Sequence, residues 1–293
     1  MKTPKFAYVC AESVAQVLNL LSEHGDNARI LAGGQSLMPT LNMRLSQPDL
    51  LIDINRLDVL KGISVEDGMV RIGALVRHAE VMRSPIVAEH LPLIAEAMPH
   101  VAHMAVRNRG TIGGSIALAD PAAELPACGL ALGATMVVES TRGRRKISAA
   151  EFFKGMFDTD RNPDELLIEI RIPCRKPNNF SAFMELSRRQ GDFAIAGVAC
   201  QIGIDGDAIS AAKLVYFASE SRPTFAANAS AAIIGKPWSA ESKSAALAAL
   251  ADDLDPIPSP QGSAKFKLHL QRVLTGRALD RVIERAMEPA GAA

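Results

Sequence analysis

The sequence predicts an α+β fold with two blocks of different texture, and three observations carry that reading. The chain opens strand–helix–strand and runs through a paired-glycine turn, Ala32-Gly33-Gly34-Gln35-Ser36. A second glycine pair, Thr111-Ile112-Gly113-Gly114-Ser115, lies in a middle block where helices and strands alternate. Near the C-terminal end, two long apolar segments meet at Asp205-Gly206, a strong hairpin signal, and helical patterns follow.

Taken in order, Phe6 to Val9 reads as a strand. Ser13-Val14-Ala15-Gln16 resembles a capping box, and Val14, Val17, Leu18 and Leu21 form one helical face that stops at Gly25. Arg29 to Ala32 and Leu50 to Ile54 are the next strands, and Met69 to Gly73 opens the middle block. Helices are expected over His78 to Met82 and Pro85 to Met98. Asp120-Pro121 serves as N-cap and first residue of a helix over Ala122 to Leu132. Strands at Ala134 to Glu139 and Leu166 to Ile172 follow, with Arg142 to Lys146 between them as a solvated turn. Pro173 to Asn179 is a polar, turn-rich stretch that suits a boundary. Phe180 to Leu186, Ala194 to Ile204 and Ala208 to Phe217 then predict a three-stranded antiparallel sheet. Helices at Phe225 to Ile234, Ala240 to Leu250 and Ala264 to Leu274 cap it. The expected division is 1–175, with subdomains of about 1–57 and 58–175, followed by 176–293. Only the Ala/Gly tail is low in complexity.

Composition narrows the function classes. Thirty-two basic and 32 acidic residues balance, which gives no electrostatic reason to expect nucleic acid or an anionic membrane. Aromatics at 4% also argue against a base-stacking surface. Cys10, Cys128, Cys174 and Cys200 are widely spaced, so they read as buried thiols rather than cluster ligands or disulfides. Met1 to Lys5 leads into no apolar segment and no stretch reaches spanning length, so the expected compartment is the cytoplasm.

The glycine pairs are the chemical signal. Glycine lets the backbone approach a ligand with no Cβ in the way, and successive amides in such a turn form an anion-binding concavity. Two such segments suit two phosphates gripped by main chain, hence a dinucleotide. Neither G-x-G-x-x-G nor G-x-x-x-x-G-K-[ST] occurs. Arg107-Asn108-Arg109, just before the second pair, could neutralise a pyrophosphate or tie carbonyls of its own loop. Glu124 either favours a helix dipole or accepts from a ribose hydroxyl. Asp53 reads as a strand-end polar group. His100 and His103 have no carboxylate or thiolate close in sequence and read as loop histidines. Hydrolytic motifs such as G-x-S-x-G are absent, so reactivity would come from a bound cofactor.

At these residues the chain resembles a known family. Ala32 to Pro39 with Leu51-Ile52-Asp53-Ile54-Asn55 is similar to the first FAD signature of molybdenum hydroxylase flavoprotein subunits, the xanthine dehydrogenase/carbon monoxide dehydrogenase family. Arg107 to Ser115 with Ala119 to Pro126 is similar to the second. Ser187-Arg188-Arg189 and Gly191-Asp192-Phe193-Ala194 resemble the start of the family's C-terminal flavoprotein domain. The resemblance implies a vanillyl-alcohol-oxidase-type FAD-binding domain of two α+β subdomains and a smaller C-terminal domain. It implies FAD on this chain, with Arg29, Ile30, Leu31, Ala32, Gly33, Gly34, Gln35, Ser36 and Leu37 on the first phosphate side. Thr111, Ile112, Gly113, Gly114 and Ser115 would line the second. Ala102 and Ile168 would lie near the flavin ring and Glu124 near its hydroxyls.

It further implies partners: a small subunit with two [2Fe–2S] clusters and a large molybdopterin subunit that hydroxylates the substrate with oxygen from water. These would assemble as a dimer of heterotrimers that passes electrons through FAD to an external acceptor. One departure stands out. Relatives often carry a lysine shortly before the Arg-Arg pair, and here the stretch is Met184-Glu185-Leu186-Ser187. Two other functions share the flavin fold: a self-contained FAD reductase of the enolpyruvyl reductase type, and a flavin-binding regulatory or assembly protein without turnover.

Overall fold

A computed structural model describes residues 2–287; the Ala/Gly tail lies outside the described residues. The first layer is β1 (Ala7–Cys10), α1 (Val14–His24), β2 (Ala28–Leu31), α2 (Leu37–Asn42) and β3 (Leu50–Asp53). Its sheet is parallel in the order β1-β3-β2, so the connection from β1 to β2 crosses one face of β3. Helix α1 covers that face with Val17, Leu18 and Leu21. Ser13 caps it by accepting from Gln16 N at 3.2 Å, as the sequence predicts.

The middle layer comprises β4 (Ile63–Glu66), β5 (Met69–Gly73), α3 (His78–Arg83), α4 (Pro85–His90), α5 (Pro92–Ala97), α6 (Met104–Arg107), α7 (Ile112–Leu118) and α8 (Glu124–Leu132). It continues with β6 (Thr135–Ser140), β7 (Gly143–Ser148), α9 (Ala149–Phe152), β8 (Phe153–Gly155), β9 (Asp158–Thr159) and β10 (Leu166–Pro173). Five strands make an antiparallel sheet in the order β4-β5-β10-β6-β7. Helices α4, α5, α7 and α8 bury Val87, Leu93, Ile94, Ile116 and Leu125 against it.

The third layer is β11 (Asn179–Ser187), β12 (Ala194–Asp205), β13 (Ala208–Phe217), β14 (Thr224–Phe225), α10 (Ala227–Ala231), α11 (Ala240–Asp253) and α12 (Ala264–Met287). Its sheet has four strands, not three, because Thr224 and Phe225 return to pair with Tyr216 and Val215. Such a two-residue pairing leaves no alternation to read in a sequence. Helix α12 runs well past Leu274, since Ala278, Leu279 and Val282 keep its apolar stripe on the sheet. The expected helix over Phe225 to Ile234 shrinks to α10.

Two further expectations change, and a third gains detail. Pro92 breaks the helix foreseen over Pro85 to Met98 into α4 and α5, each with proline in its first turn. The basic turn is the solvated hairpin the sequence suggests, with Arg142 and Arg144 exposed, and the fold adds ion pairs to it. Arg144 meets Glu139 at 2.9 Å, while Arg145 meets Glu165 at 2.7 Å and Asp160 at 2.9 Å. Asp120 is not a helix cap: its carboxylate accepts from Ala122 N in a turn, and α8 begins four residues later, behind Ala123. Among the described residues no helix is long and apolar enough to cross a membrane.

Candidate functional site

Strand pairing ends where β2 hands the chain to the first glycine pair. Gly34 then takes φ +70°, a left-handed conformation that suits glycine, and α2 starts at Leu37. Between the strand and that helix, the amides of Gly33, Gly34, Gln35, Ser36 and Leu37 have no acceptor among the described residues. Gly33, Gly34 and Leu37 are half-buried, Gln35 and Ser36 exposed, and successive free amides in such a turn form an anion-binding concavity. A cleft of about 530 Å³ opens beside them, walled by Ala32 to Gln35, Met38, Asn55 and Arg109.

A polar frame supports this loop from below. Tyr8 donates to Asp53 Oδ2 at 2.8 Å, and Asn55 donates through its backbone and side chain to Asp53 Oδ1. Burial pushes the Asp53 carboxyl up, but those hydrogen bonds outweigh it and hold the group below its ordinary value. Asn55 Nδ2 also donates to the carbonyl of Ala32 at 2.9 Å, which pins the entry of the glycine loop. Asp53 is therefore the strand-end polar group that the sequence suggests. Asn55, which ends the first signature, and Arg77, which carried no sequence signal, complete the frame.

The second glycine pair is built differently. Thr111 is an N-cap, accepting from Gly114 N at 3.1 Å, and Ile112 to Ser115 are the first turn of α7 rather than a loop. Ile112 N donates to Val76 O and Gly113 N to Ala74 O, both at 3.0 Å, and Ser115 N donates to Thr111 O at 3.1 Å. Its amides are thus spent inside the fold, which corrects the expectation of two equivalent main-chain cradles. Neither Gly113 nor Gly114 has positive φ. Gly113 is small for packing: a Cβ there would meet Ala74 Cβ at 2.5 Å and Ala74 O at 2.6 Å.

The remaining candidates are scattered around this centre, and none of Ala102, Glu124 or Ile168 lines the cleft. Arg29 turns its guanidinium to the carbonyls of Asp26 and Ala28, at 2.7 and 2.9 Å. Ile168 is the extra residue of a β-bulge in β10, and its carbonyl accepts from Ala74 N at 2.9 Å. The bulge thereby positions the residue against which Gly113 packs. Ala102 stands at φ +47°, and its carbonyl accepts from Arg107 Nη1 at 2.8 Å. Arg107 also donates to Pro99 and Val101, so it ties its own loop while Arg109 faces the cleft.

Glu124 is buried at the start of α8, and desolvation pushes its carboxyl up to about 7. Sequence reads His100 as a loop histidine; the fold gives it a carboxylate partner. Its Nδ1 lies 3.3 Å from Glu185 Oε1, the residue in the stretch where relatives often carry lysine. The Glu185 side chain is 3% exposed, and its hydrogen bond raises the His100 pKa above the ordinary value. Cys128 and Cys200 are buried thiols, while Cys10 and Cys174 are half-buried. Among the described residues no group of three or more His, Cys, Asp or Glu side chains is placed to hold a metal.

The model of the FAD-binding domain of molybdopterin dehydrogenases matches residues 4–175. The chain belongs to this family. The carbon monoxide dehydrogenase flavoprotein C-terminal domain matches residues 181–282, so the two descriptions cover nearly all of it. Subunit alpha of the 6-hydroxypseudooxynicotine dehydrogenase complex of Paenarthrobacter nicotinovorans is 41% identical over 98% of this chain and 97% of its own. A chain of carbon monoxide dehydrogenase from Hydrogenophaga pseudoflava superposes with a TM-score of 0.95 at 37% identity, covering 97% of this chain and 99% of that one. A chain of quinoline 2-oxidoreductase from Pseudomonas putida 86 gives 0.93 at 36% identity, covering 98% and 100%. The family's cofactor is FAD, and the unpaired amides of Gly33 to Leu37, beside Arg109, fit its pyrophosphate.

Proposed function

We propose that this chain is the FAD-bearing electron-transfer subunit of a three-chain molybdenum-dependent hydroxylase. In this reading it takes electrons from [2Fe–2S] clusters on a small partner and passes them to an external acceptor, while the substrate is oxidised on a large molybdopterin subunit. The observation that carries the reading is the row of five amides from Gly33 to Leu37 without acceptors, in a chain that matches named subunits end to end. FAD, when bound, supplies the redox chemistry.

The residues do the holding. Gly33 to Leu37 would donate to one phosphate from the main chain, with Arg109 across the cleft adding positive charge. Thr111 to Ser115 would back the second side through packing, since the amides of Ile112 to Ser115 are already engaged. Ala102 and Ile168 would border the ring and Glu124 the hydroxyls. The two parts, 1–175 and 176–293, would act as the cofactor-binding domain and the C-terminal domain.

Co-expression with the products of neighbouring genes, one of them tagged, tests this reading by size-exclusion chromatography with flavin, iron and molybdenum analysis. The expected result is one complex containing FAD, iron and molybdenum. A monomer that turns over an organic substrate with FAD as sole cofactor would overturn it in favour of the self-contained reductase.

A further inference from the structure

One guanidinium touches both segments that meet at the cleft. Arg77 follows β5 and begins the turn into α3, where Glu80 accepts from its backbone N–H at 2.7 Å. Its Nη2 donates to Asn55 Oδ1 at 2.6 Å, and its Nη1 donates to the carbonyl of Arg109. Asn55 in turn holds the Ala32 carbonyl at the mouth of the first glycine loop. The Arg109 carbonyl is the atom against which Gly33 rests, since a Cβ on Gly33 would come 2.5 Å from it. Arg77 thus reaches the first loop by two routes, through Asn55 to Ala32 and through Arg109 to Gly33. Its backbone also bridges to Thr111, the cap of the second glycine pair.

We propose that Arg77 is a positioning residue for the dinucleotide: it sets the spacing between the first glycine loop and the Arg109 segment, and so aims the Gly33–Leu37 amides. A planar guanidinium can serve two acceptors at a fixed angle, whereas a lysine ammonium on its flexible stem cannot hold the same fork. Half-buried beside Arg109, it also adds a second positive charge behind the cleft. Burial and that neighbouring charge both oppose its own ionisation, a cost that an anion in the cleft would offset. The inference rests on the FAD reading above.

The test uses the full chain, stripped of flavin and titrated with FAD by quenching of flavin fluorescence, with thermal unfolding of the flavin-free form in parallel. Arg77→Lys is expected to weaken FAD binding about 10- to 100-fold, the range for losing a charge-assisted hydrogen bond. Asn55→Ala should show a comparable loss. The double variant should lose little more than either single one, because both break the same link. Asn55→Asp, which still accepts from Arg77 but cannot donate to Ala32, should fall with Asn55→Ala. Wild-type affinity in Arg77→Lys, or fully additive losses, would overturn the proposal. So would a loss matched by an equal fall in the stability of the flavin-free chain. If Arg77→Lys does not fold, the Asn55 pair decides: wild-type affinity in both variants also overturns it. Failure of the wild-type chain itself to bind FAD would refute the functional reading instead.

Discussion

Gly33 lies with its α-carbon against the carbonyl of Arg109, 76 positions further along by their numbers, so close that a Cβ would sit 2.5 Å from that oxygen and 2.7 Å from Gly110 Cα. Both obstacles are backbone, which cannot rotate away as a side chain would. The contact joins the first glycine loop to the segment leading into α7, and it fixes where the unpaired amides face.

Gly33→Ala is therefore expected to separate the two segments. Overpacking of this kind costs about 1–3 kcal/mol, which corresponds to roughly 10- to 100-fold in affinity if the strain falls on the bound state. Equilibrium titration with FAD checks it, and unchanged affinity would contradict the close approach.

The second pair should respond unequally. At Gly113 a Cβ meets Ala74 Cβ, O and Cα within 2.7 Å, so alanine must displace backbone. At Gly114 it meets only Thr111 Oγ1, at 2.8 Å, which can rotate at the cost of the helix cap, about 1 kcal/mol. Thermal unfolding should rank Gly113→Ala well below Gly114→Ala, and the reverse order would refute the packing role.

Glu124 offers a pH-dependent test. Its folded value of about 7 exceeds the ordinary 4.5, so between those pH values the folded chain holds a proton that the unfolded chain releases. Stability from this group is intact below about pH 4.5 and is lost as pH rises to 7, by roughly 3 kcal/mol. In the flavin-free chain, Glu124→Gln should gain stability relative to wild type over that window and hold the gain above it. A pH-independent difference in melting temperature would contradict the burial argument.

His78 should act in the opposite direction. It is buried, and desolvation lowers its pKa to about 4, outweighing a backbone hydrogen bond with Thr111 that raises it. The unfolded chain therefore binds the extra proton between pH 4 and 6.5. Stability from this group is intact above 6.5 and lost as pH falls toward 4. His78→Leu should flatten the acid limb of the stability profile, as measured by denaturant unfolding at several pH values.

Much of the fold was legible because its signals are local. The Ser13 cap, the Val17-Leu18-Leu21 face and the Asp205-Gly206 hairpin each appear where residue type and period place them. The misses have equally physical causes. Strand β14 pairs through two residues, α6 is a four-residue helix, and Asp120 could satisfy a turn as well as a cap.

For the site, the sequence alone determined the family, through two glycine-bearing signatures in order, and pointed to a main-chain grip on phosphate. Residue identity decides those features, since only glycine admits such approach. The tertiary structure decided the division of labour. Gly33 to Leu37 keep their amides free, while Ile112 to Ser115 spend theirs on Val76, Ala74 and Thr111. It also brought Glu185 to His100 and Arg77 to both Asn55 and the Arg109 carbonyl. Those relationships depend on which hydrogen-bonding partners folding delivers from far along the chain, and no local pattern of residues encodes a partner's position.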